Sequence, residues 1–404
     1  MSDLPTAAAW RMLVLLTGAV ILSMTTWFSA TAILPQLTAQ WQLSGVAQTW
    51  MTNGVQLGFV AGALTLSLFN LPDIAPLRLL MAIAAALAAA FNAALLIAPS
   101  AELAIALRFL TGIALAGVYP PALKLVATWF VRGRGLAMGT MIGGLTLGSA
   151  FPHLLRALFA GLDWRFVVAS ASALTLAGAV AFLLLIHEGP HPFGRAILDP
   201  KQLGRVVRNR AVALANLGYF GHMWELYAAW GWFLAFARAA SVTAGMSPAE
   251  ISLLVFAMVA SGFIGCLAGG LLADRIGRTA TTIIMMAVSG LCSVAIGLSF
   301  AGPLWLFVLL ALLWGTTIVA DSAQFSAMTT EVGDSDLVGT ALAFQLGIGF
   351  ALTIVSLTVV PMLAAAIGWQ WAFVILAPGP LVGILAMLLL RSLPEASRIA
   401  QGRK

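Results

Sequence analysis

The feature that most constrains this chain is the succession of long apolar runs separated by short polar loops. A helix that crosses a bilayer needs about 20 mostly apolar residues. Apolar residues make up 61% of the 404 residues and charged residues 8%, too few polar groups for the surface of a soluble protein. The sequence therefore predicts an all-α membrane protein with twelve transmembrane helices. Runs of sufficient length lie near 12–35, 46–69, 78–98, 102–130, 136–158, 165–186, 212–237, 249–272, 280–301, 303–329, 337–365 and 370–390.

The longest polar stretch divides these predicted spans into six and six. We expect an N-terminal six-helix bundle over residues 1–186, a linker over 187–211 and a C-terminal six-helix bundle over 212–404. The first apolar run is too long for the core of a signal peptide, so we expect it to remain as a span.

Short sequence matches relate the two halves. The segment Gly161-Leu-Asp-Trp164 matches Gly368-Trp-Gln-Trp371, and Asp73 after span two matches Asp274 after span eight. Matches at equivalent places indicate two pseudo-symmetric bundles. In transporters with such parallel repeats, the substrate binds near the membrane midplane, between the repeats.

The basic residues predict the orientation of the chain. If the N-terminus is cytoplasmic, most lysines and arginines fall in inside loops and tails, whereas Arg156, Arg165 and Arg238 lie on the outer side. This asymmetry follows the positive-inside rule. We therefore expect both termini in the cytoplasm and a location in the cell inner (plasma) membrane.

The most specific motif is Gly270-Leu-Leu-Ala-Asp274-Arg275-Ile-Gly277-Arg278, in the loop after span eight. It resembles the loop signature of the major facilitator superfamily. Glycines allow close helix approach and a tight turn, and an aspartate there can pair with basic groups and a helix N-terminus. The resemblance implies an alternating-access secondary transporter, which is not an enzyme, and a cytoplasmic gate at this loop that must break for inward opening.

The first-half copy of the motif is degraded. It reads Asn70-Leu-Pro-Asp73-Ile-Ala-Pro-Leu-Arg78, so the acid survives and the following arginine does not. We assign Asp73 to the gate, and whether this copy still gates stays open.

Span four carries a second resemblance. Arg108-Phe-Leu-Thr-Gly112-Ile-Ala-Leu-Ala-Gly117 resembles the pattern of the superfamily in this span. The segment that continues through Tyr119-Pro-Pro to Lys124 is similar to bacterial anion porters of the nitrate and cyanate type. The clustered glycines around an asparagine that mark nitrate porters are missing, so nitrate is not supported as the substrate.

Basic groups inside a membrane are costly and mark functional sites. Arg108 and Lys124 are predicted to hold an anionic substrate, and the tandem prolines after Tyr119 would bend the helix so that the two side chains can converge. The alternatives are hydrogen bonding within the first bundle for Arg108 and extension toward the interface for Lys124. A further possibility is a Lys124–Asp321 pair across the two halves.

Acidic groups inside the membrane point to proton coupling. His222 and Glu225 share one face of span seven, and Asp321 lies in span ten. A carboxyl removed from water favours its neutral form and can exchange a proton, so we assign these three residues to proton coupling. The alternative for Glu225 is a hydrogen-bonded side chain that fixes helix packing. Five uncharged candidates are assigned to substrate binding: Trp27, Tyr119, Tyr227, Gln324 and Gln345.

The sequence thus predicts a transporter that moves a small organic or inorganic anion coupled to protons, with the bilayer as its surroundings. The alternative is a proton-driven efflux pump for lipophilic or cationic compounds. A membrane-embedded enzyme would need a catalytic constellation, which this sequence does not show. A passive channel is a further alternative, and a strict dependence of flux on a proton gradient would argue against it. No basic run with interleaved aromatics supports nucleic-acid binding. We expect no cofactor, no metal and a monomer, with Cys266 and Cys292 as small core residues.

Overall fold

The computed structural model describes residues 6–130, 133–191 and 200–403, and twelve helical crossings follow one another along them. The first half holds α1 (Ala7–Met24, continued by Ser29–Ala32 and Leu34–Trp41), α2 (Gly45–Leu68), α3 (Leu77–Ala94), α4 (Ala101–Ala116 and Tyr119–Trp129), α5 (Arg134–Leu158) and α6 (Arg165–Leu185). The second half holds α7 (Arg210–Ala239), α8 (Pro248–Ile276), α9 (Arg278–Leu298), α10 (Leu304–Thr317 and Ser322–Val332), α11 (Val338–Ile367) and α12 (the 3-10 segment Trp369–Leu376 and Pro378–Ser392). The all-α fold with twelve crossings is confirmed.

The crossings differ in polarity according to their place in the bundle. Within the described residues, nine helices are long and apolar enough to cross a membrane. The three long helices outside that set are α2, α5 and α7. They carry fully buried polar side chains, among them Asn53, Gln56, Ser149 and Glu225. A membrane helix can carry such groups where it faces protein and not lipid, so these three helices define the interior.

Three crossings are broken near their middle. α1 is interrupted at residues 25–28, α4 at 117–118 and α10 at 318–321. The break in α4 precedes the tandem prolines, which occupy the first turn of Tyr119–Trp129. Proline is tolerated there because the first N–H groups of a helix have no partner inside the helix. The breaks in α4 and α10 occupy equivalent places in the two halves.

The repeat is also visible in backbone geometry. Gly161 before α6 and Gly368 before α12 both adopt φ +86°, a conformation that favours glycine. The match between the two Gly-x-x-Trp segments therefore reflects the same turn in both halves.

The two halves pack against each other along two helix pairs. In the first pair, Asn53 on α2 donates to Thr358 on α11, at 2.9 Å between Nδ2 and Oγ1. In the second pair, glycines of α5 meet α8, and a methyl group on Gly139 would lie 2.6 Å from the carbonyl oxygen of Cys266. Both cysteines are buried and unpaired.

The two ends of the bundle differ in the residues that they carry. The linker end carries Asp73, Asp274 and the short helix Leu203–Arg208, which lies within the predicted linker. The loop end carries Arg156 and Arg238, at the ends of α5 and α7. Residues 192–199 of the predicted linker lie outside the described residues.

Candidate functional site

Aromatic rings from both halves meet between the two bundles. Trp27 at the break of α1 stacks on Tyr227 of α7, with ring centroids 5.6 Å apart and planes 28° apart. Phe59 of α2 lies 4.4 Å from Phe350 of α11, centroid to centroid. Trp27 also contacts Phe59 at 4.9 Å, and Tyr227 contacts Phe350 at 5.2 Å. We call these four, with Phe28 and Trp230, the aromatic cluster.

Several polar atoms beside these rings have no hydrogen-bond partner among the residues that the structure describes. The indole Nε1 of Trp27 and that of Trp230 are buried donors without an acceptor. Both amide atoms of Gln56, one helical turn from Phe59 on α2, are also buried and unpaired. Buried polar groups in folded proteins are nearly always satisfied, so orphaned donors and acceptors at an interface between halves are groups that a ligand can satisfy.

The three tyrosines of the chain converge on the same region. Tyr119 begins the second segment of α4, while Tyr219 and Tyr227 lie two turns apart on α7. All three side chains are buried. Of the predicted substrate residues, the structure brings Trp27 and Tyr227 into contact across the two halves.

Arg108 does not face that space, because it is bound within the first half. Its guanidinium donates to the backbone carbonyls of Thr26, at 2.8 Å, and of Trp27. It also donates to Ser29 Oγ and Asn92 Oδ1, each at 3.2 Å. Three of these acceptors, on Thr26, Trp27 and Ser29, follow the end of Ala7–Met24, where the helix dipole favours a cation. Arg108 thus holds the break of α1 in place, and the backbone of Trp27 with it.

Lys124 lies at the linker end. Its ammonium is 2.5 Å from Asp73 Oδ1 and donates to the carbonyl of Pro72 at 2.7 Å. The alternative of a Lys124–Asp321 pair is wrong, since Lys124 lies against Asp73 and Asp321 against His222. Beyond the break of α4, Lys124 sits one turn into Tyr119–Trp129 and points to the loop after α2. The expected convergence of Arg108 and Lys124 is therefore also wrong.

The three residues assigned to proton coupling join α7 to its neighbours in the second half. His222 Nδ1 approaches Asp321 Oδ1 to 2.9 Å, without the angles of a hydrogen bond. Glu225 Oε1 accepts from Trp314 Nε1 at 2.7 Å, and Oε2 accepts from Ser289 Oγ at 2.9 Å. All three ionisable side chains are buried. His222 and Glu225 face α10 at successive levels, as expected of i, i+3 neighbours.

Two predicted substrate residues are engaged elsewhere. Gln324 Oε1 accepts from Arg278 Nη1 at 2.9 Å. Gln345 donates to Asn216 Oδ1 at 2.9 Å and to Thr329 Oγ1 at 2.8 Å. These contacts lie within the second half, and neither glutamine is paired with a member of the aromatic cluster.

The predicted gate joins the two halves at the linker end. The carboxylate of Asp274 lies against the first turn of α5, where a methyl on Gly135 would be 3.1 Å from Oδ1. The same turn packs against Gly270, whose added methyl would lie 2.9 Å from the Gly135 carbonyl oxygen. Gly277 turns the chain at φ +93° between α8 and α9, and Arg275 is exposed beside it.

Among the described residues, Arg278 binds side chains of the second half and none of the first. Its Nη2 lies 2.8 Å from Glu331 Oε1, and its Nε lies 3.0 Å from Glu331 Oε2, a bidentate pair. The backbone carbonyl of Asp274 accepts from Arg403, so the C-terminal segment also lies on this loop. Asp73 is held by Lys124 in the first half.

Sequence reasoning missed much of the aromatic cluster. Phe28, Phe59, Trp230 and Phe350 were not assigned to substrate binding, because apolar rings in an apolar helix carry no local signal. Gln56 offered a signal that was overlooked, as a polar side chain within a predicted span. In the described part of the chain, no three His, Cys, Asp or Glu side chains lie together as metal ligands would.

Comparison with known proteins places this geometry in a family. The model of the Major Facilitator Superfamily matches residues 16–244 and 226–404. Among curated relatives, an MFS-type transporter of Aspergillus terreus, pytF, is 29% identical over 177 residues, which cover 43% of this chain and 58% of that protein. The Fujikurins efflux protein of Gibberella fujikuroi is 29% identical over 188 residues, covering 46% and 39%.

A bacterial relative is also similar over part of its length. The 3-(3-hydroxy-phenyl)propionate transporter of Escherichia coli is 33% identical over 139 residues, which cover 34% of this chain and 32% of that protein. The matches to these three relatives therefore span between about one third and somewhat over half of each relative's length.

A solved structure is similar over nearly the whole chain. A bacterial homologue of the human lysosomal transporter Spinster, solved in an inward-facing and unoccupied conformation, superposes with a TM-score of 0.67. The superposition covers 95% of this chain and 96% of that one at 14% identity, which shows a common fold. Since the family model accounts for both six-helix halves, this chain belongs to the Major Facilitator Superfamily of membrane transporters.

Proposed function

We propose that this protein is a secondary active transporter that moves a small aromatic organic anion by alternating access, coupled to protons. The observation that carries the proposal is the aromatic cluster, in which Trp27 and Phe59 of one half close onto Tyr227 and Phe350 of the other. Aromatic faces recognise other aromatic rings through offset and edge contacts, and separation of the halves would expose them on both sides.

The anionic character of the substrate rests on a different support. The E. coli relative is named for a phenylpropionate, an aromatic ring that bears a carboxylate. The ring would occupy the aromatic cluster, and the orphaned donors of Trp27 and Trp230 would face its polar atoms. An inorganic anion of the nitrate or cyanate type fits less well, because Arg108 and Lys124 are bound elsewhere.

Proton coupling is assigned to the second half. Glu225 and the His222–Asp321 pair are buried along α7 and α10. Glu225 and His222 lie on α7, the helix that also carries Tyr227. A change in protonation would alter the contacts that hold α7 to α10, and this would link proton binding to the position of the aromatic cluster.

We also infer the setting of the transporter. The linker end, which carries the gate and most of the basic residues, would face the cytoplasm, with both termini on that side of the inner (plasma) membrane. The partners would be a small molecule, protons and lipid, with the chain acting as a monomer.

The second candidate is proton-driven efflux of lipophilic or cationic compounds. It is favoured by the neutral character of the aromatic cluster and by the name of the efflux protein of G. fujikuroi. The two candidates differ in whether a carboxylate is required for binding.

Thermal stability of the purified protein tests the proposal. Benzoate, benzamide, benzylamine and hexanoate would be compared at increasing concentration, since a ligand that binds only the folded state raises the melting temperature. We expect benzoate to stabilise most, and Trp27→Phe to weaken its binding about tenfold. Trp305→Phe, at a largely exposed ring, is the matched control.

Two results would contradict the proposal. If benzamide or benzylamine stabilises the protein and benzoate does not, the efflux candidate takes its place. If hexanoate stabilises as well as benzoate and Trp27→Phe leaves both unchanged, the aromatic cluster is not the binding site.

A further inference from the structure

A cavity of about 230 Å³ lies at the loop end, between the two halves. The first half contributes Gln36 and Arg156, and the second half contributes Arg238 and the start of α8, including Pro248 and Ser252. No member of the aromatic cluster lines it. Its volume is several times the roughly 30 Å³ that one water occupies in the liquid, so it has room for a small organic group.

Two positive charges face this cavity without a compensating acid. Arg156 is half-buried and Arg238 is exposed, and their guanidinium charges lie close enough to repel each other. Across residues 6–130, 133–191 and 200–403, neither forms an ion pair. Arg165 at the same end differs, because it lies 2.9 Å from Asp163.

The first guanidinium is held in a fixed direction. With its amide oriented so that the oxygen accepts, Gln36 binds Nη2 and Nε of Arg156 at 2.5 and 2.6 Å. A neutral amide positions the guanidinium and leaves its charge uncompensated. Nη1 of Arg156 makes no hydrogen bond to the described residues, so it stays available to a ligand.

The acid that follows Pro248 does not serve these arginines. Glu250 accepts from the backbone N–H of Ser247 at 2.7 Å, and Ser247 Oγ accepts from Glu250 N at 3.3 Å. This capping box satisfies backbone N–H groups at the N-terminus of α8 and engages the Glu250 carboxylate there. The cavity therefore keeps a net positive charge on a surface shared by both halves.

We propose that this cavity binds the carboxylate of a small organic anion between Arg156 and Arg238. Guanidinium groups recognise carboxylates through paired, charge-assisted hydrogen bonds, and an anion placed there would relieve the repulsion between the two cations. Since the arginines belong to different halves, the bound carboxylate links the halves at the loop end. The inference rests on the proposed function in one respect, that the organic anion is the transported substrate captured at this end.

Calorimetric titration with benzoate tests the site in the full-length protein. We expect Arg156→Gln and Arg238→Gln each to weaken benzoate binding at the loop-end cavity about tenfold or more, and Trp27→Phe to weaken only the binding at the aromatic cluster. Arg165→Gln, which removes a charge at the same end from an existing ion pair, should leave the affinity unchanged. Far-UV circular dichroism and melting temperature show that each variant remains folded.

A comparison of ligands and variants distinguishes this site from the aromatic cluster. Equal loss of affinity in all three arginine variants, or no loss in any, would overturn the site. Chloride that binds as tightly as benzoate, with the same dependence on Arg156 and Arg238, would overturn carboxylate recognition. Hexanoate that binds with this dependence while Trp27→Phe has no effect would support the site and contradict the aromatic substrate.

Discussion

At the scale of single residues, Glu225 is the clearest case of a group whose contacts constrain its role. Its two oxygens accept from Trp314 and Ser289, and it lies inside the second half and not against the aromatic cluster. Any coupling to substrate must then act through α7, because Tyr227 follows Glu225 by two residues on the same helix. In the proposed mechanism, Glu225 is a proton carrier that acts on the aromatic cluster only through α7.

We predict that Glu225→Gln abolishes proton-driven accumulation and leaves substrate exchange intact. The amide oxygen can still accept from Trp314, and the amide nitrogen can donate to Ser289 Oγ, so the fold is kept while ionisation is lost. Uptake into proteoliposomes with and without a pH gradient measures the effect. The control is Glu395→Gln at an exposed position, and full accumulation in Glu225→Gln would place proton coupling elsewhere.

We predict that replacement of Arg108 lowers folding stability and does not act primarily on substrate binding. Arg108→Gln leaves the carbonyls of Thr26 and Trp27 without their charged donor in a fully buried place. Loss of several such hydrogen bonds should cost about 3 kcal/mol or more of folding free energy. The melting temperature without ligand measures this, and Arg165→Gln serves as an exposed control. An unchanged melting temperature with lost binding would instead assign Arg108 to the substrate.

The ionisable residues inside the spans were predictable from sequence, but their partners were not. Charge in an apolar run is visible in one dimension, whereas the partner depends on where a helix breaks. Lys124 pairs with Asp73 because α4 restarts at Tyr119 and carries the lysine to the linker end. The pairing of Phe59 with Phe350 depends on the contact of α2 with α11, which no local pattern encodes.

At the scale of helices, glycines set how closely α5 and α8 approach. Gly135, Gly139 and Gly143 recur every four residues on α5, and added methyl groups would meet Asp274, Cys266 and Phe263 of α8 at 2.6 to 3.1 Å. Small residues at this spacing let helix backbones pack closely in membranes. This close contact holds α5 of the first half against α8 of the second, so it is one of the surfaces that movement of the halves would disturb.

We predict that Gly139→Val opens the contact between α5 and α8. Its side chain would collide with the backbone carbonyl of Cys266, at 2.6 Å from the first added carbon, and backbone cannot rotate away. In a Cys292→Ser background, labelling of the buried Cys266 by N-ethylmaleimide should rise about tenfold if the closed form loses about 1.4 kcal/mol.

The control for this change is Gly18→Val in α1. Gly18 is also helical, but nothing lies within 4 Å of an added methyl, so labelling of Cys266 should stay low. Equal labelling in both variants would mean that valine acts through helix propensity and not through the contact of α5 with α8.

At the scale of the whole molecule, the halves touch at both ends of the bundle, which leaves the aromatic cluster enclosed. The hydrogen bond between Asn53 and Thr358 joins α2 to α11, and the contact of Asp274 with the first turn of α5 joins α8 to α5 at the linker end. The proposed alternating-access cycle requires that one of these contacts opens while the other persists. Composition and the loop motif predicted the twelve crossings and the two halves, because bilayer thickness imposes a strong length rule. The state of the two closures depends on long-range packing and could not be predicted in this way.

The two copies of the loop motif are predicted to differ in their effect on this equilibrium. Asp274 faces the positive end of α5 across the two halves, whereas Asp73 pairs with Lys124 inside its own half. Asp274→Asn should weaken linker-end closure by about 1 kcal/mol, a shift of about fivefold in the population open at that end. Asp73→Asn should leave this population unchanged and lower the melting temperature. Spin-label distances between α5 and α8 measure the first effect, and a shift in both variants would mean that each loop gates the molecule, despite the degraded motif in the first half.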